Sequence, residues 1–283
     1  MSLGRSRNGV ILKSPQEIEE MAEAGRLSAK VLREVGARVQ PGVSTEELDH
    51  LAEMLIRMEG GIPAFKGYGG FPGSICASIN EQIVHGIPSK NVILQEGDIL
   101  SVDTGAIVGG WVGDNAWTFP VGKISPEKQR LLEVTEQCMW AGIEAARPGN
   151  HLGDIGHAIQ EIAEKAGYGV VREYVGHGVG RNMHEEPNVP NYGRKHHGMK
   201  LEPGMVIAIE PMINIGTYRT KVMSDGWLVV TRDGKPSAHF EKTIAITEDG
   251  PRLLTVEPNY RRPVNPESCL LYTSPSPRDY AAS

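Results

Sequence analysis

Apolar residues return every three to four positions from Ile18 onward, through Met21, Ala22, Leu27, Val31 and Val35, the period of a helix with one buried face. Ser14 and Glu17 bracket Pro15 ahead of this run, which predicts a capping box with proline in the first turn. A second run, Leu48, Leu51, Leu55 and Met58, starts behind Ser44 and Glu47 and stops at Gly60-Gly61, so a second capped helix is expected after Pro41-Gly42. The arrangement then recurs. Ser125-Pro126 opens a helix through Leu131, Leu132, Thr135, Cys138, Met139 and Ile143; Pro148-Gly149 breaks it, and Leu152, Ile155, Ile159 and Ile162 continue to Gly167. From Gly42 to Gly60 and from Gly149 to Gly167 the separation is the same 18 positions. Two copies are too few for a solenoid, so the repeat predicts one pseudo-symmetric domain.

Each helix pair is followed by strand-like segments: 75–80 and 98–120 in the first half, and 170–175, 205–211 and 227–247 in the second. Two helix-helix-sheet halves would pack their sheets together with the helices outside, an α+β architecture. Gly109-Gly110 predicts a two-residue hairpin turn, because such a turn matches the twist of its strands. Paired residue numbers then sum to 219, placing Asp103 opposite Ala116 and Asp114 opposite Gly105. The two aspartates become diagonal neighbours on one face, their α-carbons about 7–8 Å apart.

The chain has 283 residues, 40% hydrophobic and 23% charged, enough for a large soluble core. A net charge of -6 with no basic run argues against direct nucleic-acid binding. No apolar run approaches the about 18 residues of a membrane span, and the start lacks the apolar core of a signal peptide, so a cytoplasmic protein is expected. Cys76, Cys138 and Cys269 are too few and too scattered for a disulfide framework, which suits a reducing compartment. Residues 1–13 are expected to be loosely held apart from the 10–12 run, residues 14–257 to form the domain, and the Pro- and Ser-rich residues 258–283 to be an unstructured extension or a scar of cloning or sequence assembly.

Chemistry concentrates in a few positions. Asp103 and Asp114 share the hairpin face; His177 lies between two glycines, where a sharp turn would aim its imidazole inward; Glu210 and Glu241 are isolated acids in apolar strands. Four carboxylates and one histidine gathered in an apolar core would be very costly without cations to neutralise them. Two metal ions about 3.5–4 Å apart would fit such a set. His50, His151 and His157 fall in helical segments, His196 and His197 in a solvated loop, and His239 close enough to Glu241 to line a site without ligating.

The series VHGIP, VDTGAIVGGWVGD, GHGVGRNMHEEP, IEPM and FEKT resembles, in order, the motifs of the methionine aminopeptidases, specifically the bacterial type I form, over residues 10–256. The resemblance implies the pita-bread fold, with two pseudo-symmetric halves around a curved antiparallel β-sheet. It implies a dinuclear site held by Asp103, Asp114, His177, Glu210 and Glu241, with Asp114 and Glu241 bridging the ions. It also assigns His85 and His184 to substrate contact and catalysis, Glu210 to proton transfer, and Phe65, Tyr68, Phe71, Cys76, Met183 and Trp227 to a methionine pocket. Met183 stands where many relatives carry an aromatic residue, and Lys242 where histidine is common.

The implied reaction is removal of the initiator methionine when the second residue is small. The implied cofactors are two divalent cations among manganese, iron, cobalt and zinc. The implied partners are nascent polypeptide N-termini, near the ribosome, met by a monomer that binds neither nucleic acid nor membrane. Two rival readings stand beside this one: a proline-directed peptidase, because aminopeptidase P and prolidase share these ligands, and a metal-free binding protein on the same scaffold.

Overall fold

The computed structural model describes residues 4–5 and 9–257. Four helices form two pairs: α1 (Pro15–Gly36) with α2 (Thr45–Met58), and α3 (Pro126–Ala145) with α4 (Leu152–Lys165). Ser14 and Ser44 make full capping boxes with Glu17 and Glu47, and Ser125 caps α3 through Lys128 N. His151 lies outside the helical segment expected to contain it, as the N-cap of α4, where the Asp154 carboxylate accepts its backbone N–H at 2.7 Å. Gly42 and Gly149 both have φ 91°, and Gly60 and Gly167 have φ 76° and 83°, so the duplication extends to backbone conformation.

The strands Ile99–Val108 and Trp111–Pro120 form the expected hairpin, with Asp103 opposite Ala116 and Gly105 opposite Asp114. Ile75–Ile79 flanks it, pairing Cys76 with Asp103. In the second half Val206–Ile209 runs between Gly176–Gly178 and Lys242–Thr247. Met212–Asn214 lies between Ser237–His239 and Gly169–Val170. All these pairings are antiparallel. The two halves are sewn together where Glu241 N donates to Ala116 O at 2.9 Å, Thr243 Oγ1 to Asp114 O at 2.7 Å, and Thr118 Oγ1 to His239 O at 2.9 Å.

Helix α1 packs on the hairpin, and α3 covers the second-half strands. A single apolar cluster, including Val31, Val102, Ile143, Ile207 and Ile244, crosses from one half to the other. Burying each such side chain contributes about 1.5–3 kcal/mol, so neither half keeps its core without its partner.

Three segments differ from expectation. Most of 170–175 is not strand: the Gly169–Val170 pairing ends with Val171 N donating to Met212 O at 3.1 Å, and strand resumes at Gly176–Gly178. The 227–247 stretch divides into Val229–Thr231, Ser237–His239 and Lys242–Thr247, interrupted by the Arg232-Asp233 turn and Pro236. Lys13 is buried, pairs with Glu185 at 2.6 Å and donates its backbone N–H to Gly204 O at 2.8 Å, so firm attachment begins before α1. Residues 258–283, including Cys269, lie outside the described residues.

Candidate metal centre and substrate pocket

The hairpin fixes the first two acids. Asp103 and Asp114 alternate inward from adjacent strands, and neither carboxylate pairs with a lysine or arginine among the described residues. Glu210 follows the end of Val206–Ile209, and Glu241 directly precedes Lys242–Thr247, so two neighbouring strand ends deliver two more carboxylates.

His177 arrives differently from the sharp turn expected. It sits inside Gly176–Gly178, and a Cβ at Gly176 would collide with the Ala208 carbonyl oxygen, one at Gly178 with that of Glu186. The glycines let the two neighbouring strands close tightly on the backbone that carries the imidazole. Nδ1 lies 3.0 Å from Gly178 O, which only accepts, so Nδ1 carries the proton and Nε2 presents its lone pair. Nε2 stands 3.4 Å from Glu210 Oε1 and 3.6 Å from Asp114 Oδ2.

Ligand atoms of Asp114, His177 and Glu241 lie within 4.8 Å of one another. Asp103 Oδ1, Asp114 Oδ1 and Glu241 Oε1 are buried with no hydrogen-bond partner. Burial first, then mutual repulsion, pushes Asp103, Glu210 and Glu241 well above the carboxylate range, and burial raises Asp114 to about 7. Burial and the neighbouring His184 lower His177 to about 4, which keeps its imidazole neutral. Orphaned carboxylate oxygens beside a neutral imidazole are the donor set that hard-to-borderline divalent cations take, and the residues fit such ions.

A cavity of about 230 Å³ opens over this cage. All thirteen candidate site positions line it: the four acids and one imidazole above, His85 and His184, and Phe65, Tyr68, Phe71, Cys76, Met183 and Trp227. Tyr68 Oη lies 2.8 Å from His184 Nδ1, and the His184 ring stands 4.3 Å from that of His177. Phe71 meets Trp227 edge to face at 5.2 Å. His85 is held at φ 60°, a left-handed conformation rare for residues with a side chain, and burial lowers its pKa.

The cavity also takes in Val84, Tyr174, Val175 and Met212, which the sequence did not single out. Tyr174 sits edge to face with His85 at 5.7 Å, but a lone tyrosine three positions before His177 carries no signal of that contact. His239 lines the cavity as expected, with Nε2 3.6 Å from Glu210 Oε2; burial lowers its pKa to about 3. His196 is solvent-exposed, and its backbone N–H donates to Asp154 Oδ1 at 2.9 Å, fastening its loop to the start of α4.

The sequence pattern of metallopeptidase family M24 matches residues 19–248. The chain belongs to this family. It is 54% identical over 247 residues to the methionine aminopeptidase of Clostridium acetobutylicum, covering 87% of this chain and 99% of that protein. Among solved structures, the methionine aminopeptidase of Thermotoga maritima is 46% identical with a TM-score of 0.86, over 88% of this chain and all of that one. The prolidase of Pyrococcus horikoshii is more distant, at 25% identity and a TM-score of 0.70, and the match covers 89% of this chain and 65% of that one. The α+β arrangement is the pita-bread fold expected from the motifs. As a member of M24 the chain is a metal-dependent peptidase that takes divalent cations.

Proposed function

We propose that the chain is a methionine aminopeptidase that removes the initiator methionine from nascent proteins whose second residue is small. The observation that carries the site assignment is the set of buried, unpartnered carboxylate oxygens at the floor of an apolar cavity. Asp103, Asp114, His177, Glu210 and Glu241 would hold two cations, Asp114 and Glu241 being the ligands that the family resemblance would have the two ions share; the donor set suits manganese, iron, cobalt or zinc. Bound there, the cations supply Lewis-acid chemistry, drawing electron density from water and from the scissile carbonyl.

The remaining work falls to side chains. Glu210 takes the proton of the attacking water and returns it to the leaving amine. Tyr68 Oη lies 2.8 Å from His184 Nδ1, and in the tautomer that carries its proton on Nε2, for which this hydroxyl would be the donor, His184 offers that proton to the developing oxyanion. His85, aimed by its left-handed backbone, contacts the leaving nitrogen. Phe65, Tyr68, Phe71, Cys76, Met183 and Trp227 surround the methionine side chain with aromatic and sulfur surface, which suits a polarisable thioether.

Residues 14–257 form the metallopeptidase unit, working in the cytoplasm as a monomer on chains emerging near the ribosome. No described helix is long and apolar enough to cross a membrane. The test is cleavage of Met-Ala-Ser against an Ala-Pro peptide by metal-loaded protein. Preference for the methionyl peptide supports the proposal, and preference for the prolyl peptide replaces it with a proline-directed peptidase.

A further inference from the structure

Lys242 is an amine sealed inside the protein, 3% exposed, directly beside the proposed bridging ligand Glu241 in sequence. Strand alternation turns the two in opposite directions: Glu241 lines the catalytic cavity, whereas Lys242 lines a small void on the other face with Asn115 and Trp117. The same alternation separates Asp114, which faces the cavity, from Asn115, which faces the void. Behind the two ligands their sequence neighbours meet, with Lys242 Nζ donating to Asn115 Oδ1 at 3.2 Å.

The chain of contacts continues. Asn115 Nδ2 donates to Ser28 Oγ at 2.7 Å, and Ser28 Oγ donates to Thr104 O at 2.8 Å. Thr104 follows Asp103 and pairs with Asn115 across the hairpin. One buried line, Lys242 to Asn115 to Ser28 to Thr104, therefore ties together from behind the three backbone segments that present Glu241, Asp114 and Asp103. Ser28 belongs to α1, so the line also anchors those segments to the outer helix layer.

We infer that Lys242 and Ser28 are positioning residues that set the spacing of Asp103, Asp114 and Glu241 for metal, acting through Asn115. The inference rests on the metal cage proposed above. Groups that orient ligands from behind typically change metal affinity by about 10–100-fold when removed. Lys242→Met keeps the length of the stem and removes the donor, and Ser28→Ala removes the other end of the line with little change in volume.

The experiment is calorimetric titration of cobalt(II) or manganese(II) into chelator-stripped wild type, Lys242→Met, Ser28→Ala and the double variant, with thermal melting of each metal-free protein and the visible spectrum of each cobalt form. The expected result is an affinity loss of about tenfold or more in each single variant and an altered cobalt spectrum. The double variant should lose less than the sum of the two, while the metal-free melting temperature of Lys242→Met stays level or rises because a buried amine is gone. Wild-type affinity in both single variants, fully additive losses, or an affinity loss matched by a fall in metal-free stability in Lys242→Met would each overturn the inference. If wild type itself binds no metal, it is the cage that fails.

Discussion

Asp114 Oδ2 lies 3.6 Å from His177 Nε2, and Asp114 Oδ1 is buried and without a hydrogen-bond partner among the described residues. Asp114→Asn is expected to reduce turnover at least about 100-fold and to lower metal occupancy, read by elemental analysis after dialysis; full activity in metal-supplemented buffer contradicts a bridging role. At His184 the expectation is different. His184→Ala should keep its metal yet lose about 100-fold or more in kcat, and Tyr68→Phe should produce a smaller loss of the same kind by freeing the ring tautomer. The raised carboxyl groups make metal binding a proton exchange. Asp114 holds its proton up to about 7, and Asp103, Glu210 and Glu241 also hold theirs above the ordinary range. Protons therefore compete with the cation below that range, so affinity should weaken as pH falls through about 7, and binding should release protons, measured as a buffer-dependent calorimetric enthalpy. The gathering of these five side chains was legible because isolated acids in apolar strands, taken together, ask for a shared partner. The pocket walls were legible only through motif resemblance, and Tyr174 and Met212 were not legible, since ordinary core residue types give no sign that they border a cavity.

Among the elements, the helices were the easiest to read because their ends carry chemistry. Ser14, Ser44 and Ser125 cap as expected, whereas α4 hides its cap in His151 and Asp154, a pair outside the usual serine pattern. Ser44→Ala should cost about 1 kcal/mol of stability in denaturant melts and leave turnover at saturating metal unchanged. The long hairpin was also legible, because Gly109-Gly110 fixes its register residue by residue. In the second half Val206–Ile209 was legible, but the divisions of 227–247 and the strand Gly176–Gly178 were not. Several are only three residues long, too short to establish an alternating period, and Gly176–Gly178 looks like a loop until the close approach of Ala208 and Glu186 is seen. That approach predicts the effect of Gly176→Ala. The added methyl would press on Ala208, destabilise the protein by about 1–3 kcal/mol and displace His177, so metal affinity should fall together with the melting temperature.

At the scale of the molecule, the duplication has a functional consequence: Asp103 and Asp114 come from the first half, and His177, Glu210 and Glu241 from the second. The cage therefore forms only when both halves are docked, and the apolar cluster that runs through them supplies that docking. A chain ending at Glu257 keeps every residue of the family match over 19–248, so it should fold and turn over like the 283-residue chain. The most direct test of the whole account is turnover of Met-Ala-Ser as cobalt(II) or manganese(II) is titrated into chelator-stripped protein. Cleavage should be absent without metal, rise with occupancy of the cage and level off by about two equivalents per chain, and a peptide whose amine is acetylated should be cleaved little. Cleavage that is indifferent to metal, or a metal-loaded protein that leaves Met-Ala-Ser intact, would contradict it.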